Sequence, residues 1–211
     1  MPQTREALLD AACAVLARRP WPRVRMTDVA AMAGVSRQTL YNEFGSKDGL
    51  GRALLRREAD SYLAGVDRVL TPPGPPAERL AAVAEWTVGA ARASAMLRAL
   101  LTGCWSTRLP TPQFAAVGPM RDVPGQRRFG RPSPDPGREH PPPAPGDLLD
   151  LVRDRSLTAL CGPTARAVPP ELLVPACEIA VRLALSCVVA PKPEAGALVR
   201  EALTPLLAAG P

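Results

Sequence analysis

Met26-Thr-Asp-Val-Ala-Ala-Met-Ala-Gly-Val-Ser-Arg-Gln-Thr-Leu-Tyr-Asn-Glu-Phe-Gly-Ser-Lys-Asp-Gly-Leu50 is the stretch whose reading decides the fold. It reads as two short helices meeting across a tight turn, with a third helix starting at its end. Thr27 is placed to cap the first helix by accepting from the free N–H groups of its first turn, and Asp28 sits where the helix dipole favours an anion. Val29, Ala30 and Ala33 then face inward. Gly34 follows the last turn, where a left-handed backbone is needed, Val35 anchors the turn and Ser36 caps the second helix. On that helix Leu40 and Phe44 lie one turn apart on the inner face. Gln38 and Asn42 lie one turn apart on the outer face, flanked by Arg37, Thr39 and Tyr41.

An exposed helix bearing Arg, Gln, Thr, Tyr and Asn suits the major groove of DNA, because these groups donate to or accept from base edges and phosphates in combination. Ser46 and Lys47 add a cap and a cation at the start of the third helix, where a phosphate oxygen can be bound. The bland reading is a compact three-helix bundle with a solvated face. The charge distribution argues against it: residues 1–57 hold ten Arg or Lys against five Asp or Glu, a net of +5 out of +6 for the whole chain. An excess of positive charge at one end points to an acidic partner.

The segment resembles the signature of the TetR family of one-component repressors, in which V-x-x-x-A-G-V-S-x-x-T-L-Y-x-x-F-x-x-K is typical, over about residues 5 to 60. The resemblance implies that Leu40 and Phe44 are core and that Tyr41 and Lys47 bind phosphate. It implies that Thr27 and Ser36 position backbone contacts and that Arg37, Gln38, Thr39 and Asn42 face bases. Glu43 stands where the family often has His or Tyr, so a DNA contact from that position is not carried over, and a place off the DNA face is the alternative. Gly49 and Gly51 soften the start of the following helix, where Gly costs ~1 kcal/mol relative to Ala. They are read here as serving signal transmission or nothing at all.

Apolar residues recur at three- and four-residue spacing from Leu8 onward and no hairpin-bounded alternation occurs, so the predicted fold is all-α. A first helix is expected over about Thr4 to Arg18. The predicted organisation is an N-terminal three-helix helix-turn-helix domain over residues 1–63, followed by a helical ligand-binding and dimerisation domain over 64–211. Helices are expected at about Ala77–Arg92, Ser94–Leu101, Glu171–Val189 and Glu194–Ala208, with helical pattern resuming at Asp147. Between Ser106 and Gly146 lie eleven prolines and almost no apolar periodicity, so residues 106–146 are predicted to be a disordered Pro-rich loop.

The resemblance implies that the second domain senses a small-molecule effector and forms a homodimer through the last two helices, with Leu183, Leu198 and Leu206 at or beside the seam. A cavity would then be lined by Trp86, Met96, Leu100, Cys104 and Trp105, with Leu149, Val152 and Leu183 opposite, and a mainly apolar ligand is expected. Without the resemblance the same residues read as ordinary core. The helix 171–189 carries only a narrow polar stripe and is expected to be buried on two sides. An alternative is a regulator whose second domain answers to a protein partner docking on the 106–146 loop.

Catalysis is not expected: the one histidine, His140, lies beside Pro141-Pro-Pro143, and no metal-ligand spacing, nucleophile elbow or phosphate-binding glycine loop occurs. No cofactor is implied. The five cysteines lack any Cys-x-x-Cys spacing and read as small core residues in a reducing cytoplasm. No signal peptide is read at the N-terminus, and Pro175, Glu178 and Arg182 interrupt the most apolar segment, so a cytoplasmic protein with no membrane partner is expected.

Overall fold

The computed structural model describes residues 2–112, 141–161 and 168–208 and, among these, contains helices and no strand. The helices are α1 (Pro2–Arg18), α2 (Met26–Met32), α3 (Arg37–Phe44), α4 (Lys47–Leu70), α5 (Pro76–Ala93), α6 (Ala95–Thr102), α7 (Pro145–Leu160), α8 (Pro170–Val189) and α9 (Ala195–Ala208), with a short 3-10 turn at Trp21–Arg23. The all-α expectation is met. Of the Pro-rich stretch, residues 113–140, including His140, lie outside the described residues. Its near edge is ordered at Arg108, whose carbonyl accepts from the Trp21 N–H at 2.8 Å. At its far edge, Pro145 and Gly146 already belong to α7.

The chain forms two compact units, one made of Met1–Arg56 with Thr107–Pro142, the other of Arg57–Ser106 with Pro143–Pro211. The boundary falls inside α4. In the first unit α1 packs on α2 and α2 on α3. Leu8, Val15, Val29, Leu40, Phe44 and Leu50 are buried between these elements, each apolar side chain of this size contributing about 1.5–3 kcal/mol when fully removed from water.

In the second unit α5 lies against both α8 and α9, and α6 packs on α5, α7 and α8. Leu80, Leu160, Leu173, Cys177, Val199 and Leu203 share its buried cluster. Arg79 ties helix ends together by donating to the Ala159 carbonyl at 3.1 Å and to the Leu70 carbonyl, which satisfies acceptors left open at the C-termini of α7 and α4. Among the described residues α8 is the one helix long and apolar enough to cross a membrane by length and composition alone. Its inner residues pack into this cluster, while Val174, Ile179 and Val189 remain exposed. Within one chain the helix is therefore buried on one side and open on the other. The cysteines also divide: Cys177 and Cys187 are buried, Cys13 is half-buried, and Cys104 and Cys161 are exposed, because the last two stand at helix C-terminal ends and not on apolar faces.

Candidate nucleic-acid interface

The turn between α2 and α3 is set by local chemistry. Gly34 adopts φ +67°, a conformation that a side chain disfavours, and the Val35 N–H returns to the Ala30 carbonyl at 3.0 Å. Ser36 caps α3: its Oγ accepts from the Thr39 N–H at 3.0 Å and shares a hydrogen bond of 2.9 Å with Thr39 Oγ1. Leu40 and Phe44 are buried. Burying these two residues, one turn apart, turns Arg37, Gln38 and Asn42 outward, and all three are exposed; Thr39 and Tyr41 lie half-buried at the edges of that face.

Thr27 does not cap α2. The helix begins at Met26 with Arg25 as its N-cap residue and no side-chain cap. The Asp28 and Val29 N–H groups both turn back to the Arg25 carbonyl, at 3.0 and 3.3 Å. Met26 is buried, and drawing it into the core starts the helix one residue before the sequence signal. Thr27 is left exposed in the first turn, where its hydroxyl faces solvent beside Asp28. That aspartate is paired with Arg19 at 3.1 Å.

The outer face of α3 is pre-ordered. Gln38 Nε2 donates to Asn42 Oδ1 at 2.7 Å, which leaves Gln38 Oε1 as an acceptor and Asn42 Nδ2 as a donor. The Arg37 guanidinium donates to the Tyr41 hydroxyl at 3.4 Å and lies 5.1 Å from the centre of its ring. Glu43 is drawn to the opposite side by Arg5, at 2.7 Å, so the acidic residue of this helix is neutralised away from the exposed polar row.

At the start of α4, Ser46 Oγ accepts from the Gly49 N–H at 3.0 Å. Lys47 folds back, its Nζ donating to the Pro22 carbonyl at 3.2 Å and lying 5.2 Å from the Trp21 ring centre. Burial lowers the pKa of this lysine from its ordinary value and Asp48 partly opposes the shift. Two of its three N–H donors remain for another acceptor. Gly49 and Gly51 have steric causes. A Cβ on Gly49 would overlap the Phe44 carbonyl oxygen and lie 3.1 Å from its carbon; one on Gly51 would lie 3.0 Å from Trp21 Cζ2 and 3.2 Å from Pro110 Cβ. The sequence motif also left out Arg23 and Arg25, exposed on the connection before α2. Their alternation with the buried Val24 was the available signal.

The residues expected to line a ligand cavity are spread over α5 to α8. Met96, Leu100 and Val152 are buried, Trp86, Trp105, Leu149 and Leu183 are half-buried and Cys104 is exposed. Trp86 is held by its Nε1 donating to the Tyr62 carbonyl at 3.2 Å. Leu183 packs against the core cluster of the second unit. The Trp105 Nε1 is buried without a hydrogen-bond partner among the described residues. Among the described residues no cluster of His, Cys, Asp or Glu is arranged to hold a metal ion.

Residues 8–54 match the family model of bacterial regulatory proteins of the tetR family. The chain is 45% identical over 62 residues to the HTH-type transcriptional regulator AlkX of Mycobacterium tuberculosis, a match covering 29% of each protein. It is 40% identical over 73 residues to the HTH-type transcriptional repressor LfrR of Mycolicibacterium smegmatis, covering 35% of this chain and 38% of that one. These matches span less than two-fifths of either relative. A solved tetR-family regulator from Streptomyces coelicolor shares the fold, with a TM-score of 0.55 and 21% identity over 99% of this chain and 82% of that one.

Proposed function

We propose that this chain, which belongs to the tetR family of bacterial regulatory proteins through residues 8–54, binds a near-palindromic duplex operator as a homodimer and is released from it by a small-molecule effector. The carrying observation is the outer face of α3, where exposed Arg37, Gln38 and Asn42 stand on a helix fixed by the Ser36 cap and the buried Leu40 and Phe44. The acceptor and donor left open by the Gln38–Asn42 hydrogen bond match the N6 donor and N7 acceptor that adenine presents in the major groove. Thr39 adds a base-facing hydroxyl. Thr27, Ser36, Tyr41 and Lys47 serve the phosphates and fix register. Two-fold protein symmetry calls for two half-sites on one face of the duplex.

A repressor is the sense favoured here, by similarity to a relative named as one. The effector site is assigned to the second unit, where α6 packs on α7 and α8 and Met96, Leu100 and Val152 are buried apolar side chains, a composition suited to a mainly apolar ligand. Such a ligand acts only if it binds the DNA-released dimer more tightly than the DNA-bound one.

The test is a titration of wild-type and variant proteins against randomised duplexes at several salt concentrations. Lys47→Ala should weaken binding to all sequences and flatten the salt dependence, whereas Gln38→Ala or Asn42→Ala should change base preference by ~1 to 3 kcal/mol per lost bidentate contact. Binding without palindromic preference, or preferences indifferent to residues 37, 38 and 42, would remove the assignment.

A further inference from the structure

We propose that Arg23 and Arg25, together with Lys47, form a second phosphate-binding surface that grips the DNA backbone independently of the base-reading face of α3. The inference rests on the reading that the first unit binds duplex DNA. Arg18-Arg-Pro-Trp-Pro-Arg-Val-Arg25 holds four arginines and no acidic residue. Two arginines of the same unit are paired with carboxylates, Arg5 with Glu43 and Arg19 with Asp28. The Arg23 and Arg25 side chains are exposed and make no ion pair or hydrogen bond within the described residues.

Their mounting is rigid. Pro20 and Pro22 fix φ on either side of Trp21, whose indole is buried and whose N–H is held by the Arg108 carbonyl at 2.8 Å. The Arg23 N–H returns to the Pro20 carbonyl at 2.9 Å and the Val24 N–H to the Trp21 carbonyl at 3.0 Å. Val24 and Arg25 are extended, with φ −69° and −110°, so neighbouring side chains point to opposite sides. Val24 is buried, which sends Arg25 outward, and Arg23, at the end of the 3-10 turn, is exposed as well. Lys47 completes the group: its ammonium sits on the Pro22 carbonyl, beside the residue that precedes Arg23. Three cations carried on one fixed frame favour an anionic partner. Planar guanidinium groups without carboxylate partners are suited to phosphodiester oxygens.

The experiment uses the full chain, a labelled random-sequence duplex and a salt series read by fluorescence anisotropy. Arg23→Gln with Arg25→Gln should flatten the slope of log affinity against log salt by about 2, close to one unit per released phosphate contact. It should weaken binding to every sequence alike and leave the thermal midpoint unchanged. Arg23→Lys with Arg25→Lys should restore the slope, and Arg98→Gln, an exposed arginine on α6, should leave it as in wild type. Ethylation interference should show phosphates needed by the wild type and dispensable to the double Gln variant. An unchanged slope in a wild type that binds DNA would overturn the second surface and leave the function standing, as would a change of base preference in place of a uniform loss. A wild type that binds no duplex would sink the DNA-binding reading itself.

Discussion

The indole of Trp86 fills the space that any side chain at Gly65 would need: a Cβ there would lie 2.6 Å from the indole nitrogen and closer still to two ring carbons. The ring cannot swing aside freely, because its Nε1 is bonded to the Tyr62 carbonyl. Gly89, on α5, has nothing within 4 Å of the corresponding point. The same substitution should therefore have opposite signs at two helix-interior glycines. Gly89→Ala should raise stability by about 0.5–1 kcal/mol through helix propensity. Gly65→Ala should lower it by roughly 1–3 kcal/mol through overpacking, with much of the loss recovered when Trp86→Leu is added. Chemical unfolding of the four proteins checks this, and a stabilised Gly65→Ala would refute the notch.

The helix-turn-helix core was legible in the sequence because its determinants are local. Gly34, Ser36, Leu40 and Phe44 act within one turn of themselves, so spacing alone places them. Thr27 misled, because the start of α2 is decided by burial of Met26 and not by the best capping residue. The purposes of Gly51 and Gly65 were illegible for a different reason: their reasons are Trp21, Pro110 and Trp86, brought close only by the fold. The exposed side of α8 escaped the periodicity because an apolar residue looks the same whether a core or a partner covers it.

The cap on α3 gives a prediction for the site. Ser36→Ala removes the acceptor of the Thr39 N–H and should cost ~1 kcal/mol, while Ser36→Asp should retain the cap but place a negative charge beside the phosphate-facing row. The first variant should bind DNA somewhat more weakly and unfold earlier. The second should unfold like wild type yet bind far more weakly at low salt, a difference that narrows as salt screens the repulsion. Equal binding by Ser36→Asp and wild type at low salt would place Ser36 away from the DNA.

Two buried acids make the fold sensitive to alkali. Burial raises the Tyr62 hydroxyl from 10.0 to about 12, against a smaller opposing effect of its hydrogen bond with Thr87. Burial likewise pushes the Cys177 thiol from 9.0 to about 12, with Cys161 adding to the rise and Arg153 opposing it. Below the unfolded values both groups are protonated in both states and their contribution is complete. As pH rises, the unfolded chain ionises first, so stability falls between pH 9 and 12. The tyrosine share is about 3 kcal/mol, spread over the upper two pH units. Tyr62→Phe should start slightly less stable at neutral pH and lose less above pH 10. Urea unfolding across this range is the measurement, and parallel curves for the two proteins would refute the assignment.

The proposed dimer seam can be separated from the core of one chain by two residues on the same helix. Val174, Ile179 and Val189 are exposed and lie on one face of α8 with Arg182 and Ser186. Leu183 instead packs against the buried cluster with Leu80 and Val199. A second copy seated on the open face would cover the first set, and a charge there would be stranded without a partner. Ile179→Glu should therefore yield a folded monomer, with wild-type helical content by circular dichroism and half the wild-type mass by light scattering. Its DNA affinity should fall because each molecule holds a single half-site. Leu183→Glu should destabilise the chain itself, whatever its oligomeric state. An Ile179→Glu protein that remains a dimer with wild-type operator affinity would move the seam off this face, and a monomeric wild type would remove the dimer from the proposed mechanism.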